Sequence, residues 1–167
     1  ICHSDTITKD GLLPGLQYPR IPGHEVAGVI DALGPGVVGW QVGERVGVGW
    51  NGGYCGHCDN CRRGEFFACP NGQVTGVTVD GGYAEYLLVP HPRHLVSLGK
   101  LDPVDAAPLA DAGVTSFRAV RRAAPWLAEG SRALLIGLGG VGQFALQYLR
   151  RLPEVFVGVR EIDPDKV

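Results

Sequence analysis

The chain has 167 residues, enough to bury a core in one domain or in two small ones. Its 15 basic and 17 acidic residues are interspersed and give a net charge of −2, which argues against a nucleic-acid partner or a charged membrane surface. No apolar stretch is long enough to span a bilayer and no signal peptide is visible, so we expect no membrane partner. The clustered cysteines fit a reducing cytoplasm, where free thiolates survive best, so we expect a cytoplasmic protein.

The first part of the chain has the pattern of an antiparallel β domain. Residues 26–34 and 41–48 each predict a strand, and the turn Gly34-Pro35-Gly36 lies between them. Glycine is frequent, at 26 residues without a period, which predicts many tight turns around these strands.

A cysteine-rich loop follows, in which four of the five cysteines are separated by two, two and seven residues. Thiolates at such spacings can converge on one zinc ion and complete a closed tetrahedral shell, so we predict a structural zinc site. An iron–sulfur cluster would need three residues before the last cysteine and a second set of cysteines. A disulfide knot is disfavoured because nothing marks secretion. His57 inside the loop is expected to face solvent. The predicted ligands are Cys55, Cys58, Cys61 and Cys69.

After this loop the β pattern resumes and then gives way to helices. Residues 82–89 and 94–98 predict strands, and His91 and His94 beside the second of these are expected at the surface. Asp102 followed by Pro103 predicts a helix N-cap with proline at the first helical position. Helical segments are then predicted through Ala110 and over residues 111–122.

The last part of the chain has the pattern of a dinucleotide-binding fold. Apolar runs over 133–136 and 155–159 predict buried parallel strands. Between them a glycine-rich turn opens a helix whose apolar residues recur at i, i+3, i+4, i+7 and i+8 from Val141. Glycines there allow a pyrophosphate to approach the helix N-terminus. The residues predicted to bind the cofactor in this turn are Gly137, Gly139, Gly140, Val141 and Gly142.

Glu161 follows the second of these strands, nineteen residues after Gly142, where an acidic residue binds the adenosine ribose. Its carboxylate is expected to accept hydrogen bonds from the ribose hydroxyls and to repel a 2′-phosphate. Arg160 beside it weakens that preference. We therefore predict NAD as the cofactor, with NADP less favoured.

Taken together, six motifs resemble the zinc-dependent medium-chain alcohol dehydrogenases, in the family's order along nearly the whole chain. The resemblance implies an α/β plus β fold class, with a GroES-like, β-rich catalytic domain over 1–113 and the first part of a Rossmann doubly wound parallel sheet over 114–167. It also implies that the chain is part of a longer protein. The motifs are C-H-S-D at 2–5, G-H-E at 23–25, the cysteine loop at 55–69, D-G-G-Y-A-E-Y at 80–86, P-L-A-D-A-G-V-T at 108–115 and the glycine turn at 137–142.

In that family a catalytic zinc is separate from the structural one, and its ligands fall here on Cys2, His24 and Asp111. Two zinc ions are therefore expected. The third ligand is more often cysteine; aspartate keeps the charge but supplies a harder oxygen, so we expect a stronger Lewis acid that also tolerates cobalt or manganese better. Glu25 is expected near the zinc as a neighbour or transient ligand. Asp5 matches the acid that orients the zinc-binding histidine.

The resemblance also assigns residues around the substrate and the cofactor. Ser4 matches the first hydroxyl of the family's proton relay, whereas the histidine that often ends the relay is replaced by Ile7, which leaves the exit route open. His3 is expected to contact a cofactor phosphate and Thr115 the nicotinamide. Trp50 lies where family members place bulky side chains of the substrate pocket, although a packing role fits equally well.

The implied activity is reversible hydride transfer between a primary or secondary alcohol and NAD, with a small alcohol, aldehyde or ketone as substrate. The full-length protein is expected to be a homo-oligomer, a dimer or a tetramer. Within the class, a dehydrogenase acting on polyols, threonine or formaldehyde adducts is the alternative. From other classes, a zinc-ribbon binding module or an iron–sulfur electron carrier remains open, but the near-neutral charge lacks the basic surface of nucleic-acid binding.

Overall fold

The computed structural model describes residues 1–163 and residue 165. The chain forms two compact units, residues 1–110 and 111–167. The end of the predicted second domain, at Pro164, Lys166 and Val167, lies outside the described residues. The division into a catalytic domain and a cofactor-binding domain after residue 113 stays a prediction. In the part of the chain that is described, no helix has the length and apolar character needed to cross a membrane.

The first unit consists of short elements joined by long glycine-rich loops. Single turns of 3-10 helix cover Phe66–Ala68, Pro92–His94 and Ala107–Ala110. In chain order the other elements are helix α1 (Asp5–Lys9), strands β1 (Val26–Val29), β2 (Arg45–Val48) and β3 (Asn51–Gly53), helix α2 (Asp59–Arg62), strands β4 (Gln73–Val74) and β5 (Val96–Ser97), and helix α3 (Pro103–Ala106).

Strands β1, β2 and β5 form an antiparallel sheet in that order, and β3 pairs with β4. Val26 pairs with Val48 and Val29 with Arg45, which confirms that the first two predicted strands are neighbours. Both strands are shorter than predicted. Beyond them the backbone N–H of Ile30 still donates to the Glu44 carbonyl at 2.9 Å, so the pairing continues outside the regular ladder.

The strand predicted over 82–89 is absent, and the backbone there forms bends and irregular structure. Its first residues pair instead with the loop before β1: the N–H of Gly82 donates to the Gly23 carbonyl at 2.9 Å, and that of Tyr83 to the Pro22 carbonyl at 3.0 Å. The two loops approach this closely because Gly23 has no side chain; a Cβ there would lie 2.7 Å from the Tyr83 ring. The prediction was wrong because residue type does not reveal whether a partner strand lies alongside.

The predicted cap of α3 is confirmed. Oδ1 of Asp102 accepts the N–H of Val104 at 2.8 Å, and Pro103 occupies the first turn. The following 3-10 turn ends at Ala110, whose carbonyl packs directly on Gly49. The approach is so close that a Cβ on Gly49 would overlap with that carbonyl. Ala110 is therefore placed beside the end of β2.

The second unit is a helix followed by a parallel strand–helix–strand segment. Its elements are helix α4 (Ala112–Ala123), a 3-10 turn (Ala124–Trp126), strand β6 (Arg132–Ile136), helix α5 (Gly140–Leu149) and strand β7 (Phe156–Arg160). Strands β6 and β7 are parallel, with Leu134 opposite Gly158. This confirms the predicted pair of parallel strands around a glycine-rich turn and a helix. The predicted burial of these strands was wrong, because Leu134, Ile136 and Phe156 are 68%, 74% and 68% exposed.

Helices α4 and α5 enclose the core of this unit. Val120, Ala145 and Leu149 are buried together, and the rings of Phe117 and Tyr148 meet edge to face with their centroids 5.6 Å apart. The predicted apolar face of α5 thus faces the core. Val141, the first residue of this predicted face, is the exception, because its side chain in the first turn is 48% exposed.

Candidate metal and cofactor sites

Four free thiols converge in the loop between β3 and β4. The Sγ atoms of Cys55 and Cys69 are 3.6 Å apart, and the Cys55–Cys61 and Cys58–Cys69 pairs are each 4.0 Å apart. Four sulfurs bound tetrahedrally to zinc at about 2.3 Å would lie about 3.8 Å from one another. The cluster therefore fits a zinc ion, in agreement with the prediction.

Backbone N–H groups of the loop donate to these sulfurs. The N–H of Cys58 lies 3.4 Å from Cys55 Sγ, and the N–H of Cys61 lies 3.5 Å from Cys58 Sγ. Such donors favour thiolate over thiol. The N–H groups of His57 and Cys58 lower the pKa of Cys55 to about 6, whereas burial raises the pKa of Cys61 to about 12. The metal-free loop therefore holds at least one ready ligand anion at neutral pH.

Aromatic residues and an arginine pack beside the cysteine loop. Tyr54 stacks on Phe66 with ring centroids 4.3 Å apart, and the Arg93 guanidinium lies 4.3 Å from the Tyr54 ring while donating to its carbonyl at 3.0 Å. His57 is exposed, as predicted. His94, expected at the surface, is half-buried and meets Tyr54 edge-on at 5.1 Å; burial, Arg93 and His91 lower its pKa.

A second group of ligand types lies at three points distant in sequence. One ligand atom each from Cys2, His24 and Asp111 lie within 4.8 Å of one another. His24 is 0% exposed, and Asp111 directly follows Ala110, the last residue of the first unit. A thiol, an imidazole and a carboxylate make a three-ligand set of the kind that holds zinc with one open position. The residues predicted for the catalytic zinc are thus brought together, and their chemistry fits that ion.

Asp5 connects two of these three residues. Its Oδ1 lies 2.9 Å from His24 Nδ1 and accepts the N–H of Gly23 at 3.1 Å, while its Oδ2 accepts the N–H of Cys2 at 3.0 Å and the hydroxyl of Tyr83 at 2.5 Å. Burial alone would raise the pKa of Asp5, but these hydrogen bonds and the nearby imidazole together lower it. An ionised Asp5 at 2.9 Å from Nδ1 favours the tautomer of His24 with its proton on that nitrogen, which assigns Nε2 as the atom that would bind a metal.

Two aromatic residues complete the surroundings of His24. The ring of Trp50 packs edge-on against the imidazole, with centroids 4.9 Å apart and planes at 86°. Burial and the contact with Asp5 raise the pKa of Tyr83, which keeps its hydroxyl a donor. The sequence analysis singled out Trp50 as a residue of the substrate pocket or of the packing, but it did not predict the contact between Tyr83 and Asp5. The signal for that contact was the position of Tyr83 within the 80–86 motif.

The other predicted residues near these ligands are placed as follows. His3 is exposed, and Ser4 is half-buried just before α1. The side chain of Glu25, next to His24 in sequence, is only 7% exposed. Thr115 is exposed, and its hydroxyl donates to Oδ1 of Asp111 at 3.3 Å, one turn earlier at the start of α4. The roles of these residues toward a metal, substrate or cofactor stay predictions.

The glycine turn between β6 and α5 has the geometry that a dinucleotide needs. Gly137 has a φ of 92° and donates to the Arg160 carbonyl at 2.8 Å. A Cβ on Gly142 would overlap with the Gly137 carbonyl, so only glycine permits this approach of helix to turn. Hypothetical Cβ atoms on Gly139 and Gly140 meet nothing within 4 Å. The N-terminus of α5 is therefore open to a pyrophosphate, which fits the predicted cofactor.

Glu161, at the end of β7, lies against this turn. Its Oε2 accepts the N–H of Leu138 at 2.5 Å, and its Oε1 accepts the N–H groups of Ile162 at 2.8 Å and Asp163 at 3.1 Å. The carboxylate is thereby fixed beside the glycine turn, where the predicted ribose contact requires it.

Comparison with known families identifies the fold. Residues 1–100 match the family described as the alcohol dehydrogenase GroES-like domain. The chain belongs to the medium-chain zinc alcohol dehydrogenase family. The predicted fold class is thus confirmed: a GroES-like domain is followed by a short parallel β-α-β segment.

Curated members of the family cover most of the chain. Alcohol dehydrogenase patD of Aspergillus clavatus is 42% identical over 151 residues, which are 90% of this chain and 38% of that protein. The NAD-dependent alcohol dehydrogenase of Sulfurisphaera tokodaii is 41% identical over 157 residues, 88% of this chain and 44% of that protein. The chain therefore spans half or less of the length of these relatives.

Solved structures show the same fold. The D-arabinose dehydrogenase from Sulfolobus solfataricus superposes with a TM-score of 0.90 at 34% identity, covering 99% of this chain and 52% of that one. The alcohol dehydrogenase from Aeropyrum pernix gives a TM-score of 0.89 at 32% identity, covering 99% and 50%.

Proposed function

We propose that the protein, in its full-length form, is a zinc-dependent alcohol dehydrogenase that transfers hydride reversibly between a primary or secondary alcohol and NAD. The observation that carries this proposal is the grouping of Cys2, His24 and Asp111 within 4.8 Å of one another. A shell of four thiolates has no open position, so the reaction is assigned to the three-ligand set and not to the cysteine loop.

Zinc in this set would supply a Lewis acid that lowers the pKa of the substrate alcohol. Asp5 holds the Nδ1 proton of His24 and so directs Nε2 toward the ion. Trp50, edge-on to the same ring, limits the approach of water from that side. Ser4 relays the alcohol proton: its hydroxyl accepts this proton and gives up its own. Because Ile7 carries no polar atom, the proton then leaves by a route other than the family's histidine.

The cofactor is assigned to the second unit. The open N-terminus of α5 receives the pyrophosphate, and Val141 lies in its first turn. Glu161 binds the ribose hydroxyls, which favours NAD over NADP. The relatives include examples of each cofactor. The enzyme of Sulfurisphaera tokodaii is named NAD-dependent, which supports NAD, whereas a 38% identical protein of Saccharolobus solfataricus is named D-arabinose 1-dehydrogenase (NADP(+)), which supports NADP.

A sugar or polyol is the second candidate substrate. It is supported by the 34% identity to the D-arabinose dehydrogenase from Sulfolobus solfataricus and by the 38% identity to the D-arabinose 1-dehydrogenase (NADP(+)) of Saccharolobus solfataricus. Homo-oligomerisation and a cytoplasmic location remain part of the proposal, and rest on the family resemblance and on the sequence.

The test is a panel of primary alcohols, secondary alcohols and aldoses offered to the full-length protein with NAD or NADP, with metal content measured alongside. We expect a colourless protein with two zinc ions per chain and growth of the NADH absorption band with at least one alcohol. A brown protein with visible absorption would instead indicate an iron–sulfur cluster. Two bound zinc ions without turnover of any panel member would contradict the proposed reaction.

A further inference from the structure

We propose that Tyr83 is a positioning residue for the metal-binding histidine and acts through Asp5. The inference rests on the proposed zinc site at Cys2, His24 and Asp111. It adds a side chain from a loop that contributes no ligand to that group. The four polar contacts of Asp5 suggest this role, because three of them are made by ligands or by a residue bonded to a ligand, and the fourth is made by the Tyr83 hydroxyl.

The donors and acceptors around Asp5 fix the direction of each contact. Oδ1 of Asp5 faces His24 Nδ1 at 2.9 Å and accepts the N–H of Gly23 at 3.1 Å. Oδ2 accepts the N–H of Cys2 at 3.0 Å and the hydroxyl of Tyr83 at 2.5 Å. A carboxylate only accepts, so the single Tyr83 proton must point at Asp5. Without it, Oδ2 keeps one donor, and rotation of the carboxylate away from His24 is less restrained.

The loop that carries Tyr83 is itself held in place. Gly81, Gly82 and Tyr83 donate their backbone N–H groups to the carbonyls of residues 21–23 at 2.7, 2.9 and 3.0 Å. These bonds belong to the backbone and survive a change of the side chain. The ring also remains in Tyr83→Phe, which removes only the hydroxyl. This substitution therefore separates the hydrogen bond to Asp5 from the packing of the loop.

We expect Tyr83→Phe to weaken metal binding at the three-ligand site by about 10-fold or more, the usual effect of losing a group that orients a metal-binding histidine. The four-cysteine site should keep its affinity, since none of its ligands contacts Asp5 or Tyr83 among the described hydrogen bonds. Tyr86→Phe is the matched control: it makes the same change three residues away, on a ring that is 73% exposed.

The experiment titrates the metal-free protein with Co²⁺ against a chelator. Thiolate-to-cobalt absorption separates the two sites, because one has four thiolates and the other has one. Both variants are also combined with Asp5→Asn. If Tyr83 acts through Asp5, the loss caused by Tyr83→Phe shrinks when Asp5→Asn is already present, whereas independent effects would add.

The outcomes separate the two ideas. Weaker cobalt binding at the one-thiolate site in Tyr83→Phe, unchanged binding in Tyr86→Phe and non-additivity with Asp5→Asn support the positioning role. Unchanged cobalt affinity and spectrum in Tyr83→Phe overturn it while leaving the proposed function intact. A wild-type protein that binds cobalt only at the four-thiolate site overturns the proposed function itself. The four-cysteine site in the same molecule reports whether a variant has folded.

Discussion

The backbone N–H of Leu138 donates to Oε2 of Glu161 at 2.5 Å, which ties the carboxylate at the end of β7 to the glycine turn after β6. The carboxylate thus accepts a hydrogen bond from the backbone of the glycine turn, and we propose that it also accepts hydrogen bonds from the ribose hydroxyls of the cofactor. A neutral amide in its place would keep the size but lose the charge.

Glu161→Gln is therefore expected to shift cofactor preference toward NADP by about 10-fold or more, because a charge-assisted hydrogen bond to the ribose and the repulsion of a 2′-phosphate are both lost. The measurement is the ratio of kcat/KM for NAD and NADP in the full-length enzyme. Glu129→Gln, on an exposed loop of the same unit, is the control. An unchanged ratio would show that Glu161 does not contact the ribose.

Gly142→Ala is expected to destabilise the second unit by about 1–3 kcal/mol, because the new methyl group overlaps with the Gly137 carbonyl. Gly140→Ala places a methyl group in open space and should leave stability unchanged or slightly raised, but should weaken NAD binding by obstructing the pyrophosphate. Urea unfolding and NAD titration of both variants check this contrast. Equal stability of the two variants would contradict the close approach of α5 to the turn.

Asp111→Ala is expected to remove metal from the three-ligand site and to abolish turnover, while the metal at the cysteine loop remains. The reason is that a thiol and an imidazole alone leave zinc with only two protein ligands. Metal analysis and a kinetic assay of the full-length protein provide the measurement, with the exposed Asp105→Ala as control. Retention of both metal ions and full activity would refute the role of Asp111.

Cys61→Ser is expected to release zinc from the loop and to lower the free energy of unfolding by about 4 kcal/mol, since loss of a bound metal is among the largest single effects on stability. His57→Ala changes an exposed residue of the same loop and should cost little. Denaturant unfolding and zinc release measured together test the pair. Similar losses in both variants would mean that the loop is not organised by a metal.

Alkylation of the metal-free protein should distinguish the thiols. Only the thiolate reacts, and the pKa of Cys55 is lowered from 9.0 to about 6, so its alkylation should rise with pH through about 6 and approach its limit about two units higher. The stability that this thiolate gives the metal-free loop is fully present above pH 9.0 and is lost as pH falls through about 6. Cys61, buried and with a pKa of about 12, should react last. Mass spectrometry after timed iodoacetamide treatment gives the order; equal rates would contradict it.

Much of this arrangement follows from local sequence. The Asp102 cap, the glycine turn at 137–142 and the cysteine spacing each depend on a few consecutive residues, so their geometry could be predicted. The strand expected over 82–89 depended on a neighbour, and sequence alternation carries no information about that neighbour. The same limit concealed Tyr83, because its partner Asp5 is 78 residues away.

The family resemblance supplied what spacing alone could not. Cys2, His24 and Asp111 are far apart, and each of them alone fits an ordinary buried or capping residue. Asp111 does occupy the N-cap position of α4, yet its side chain makes no capping hydrogen bond.

The two ligand groups differ in how much of the chain each requires. The cysteine cluster lies within residues 55–69, and closing so short a loop costs little chain entropy. Backbone N–H groups of the same loop already donate to the sulfurs. The other group must gather residues 2, 24 and 111. During synthesis from the N-terminus, the cysteine loop can take up its ion once Cys69 has emerged, whereas the second group is complete only after Asp111. Chain topology therefore allows the cysteine loop to bind its ion before the second ligand group is complete.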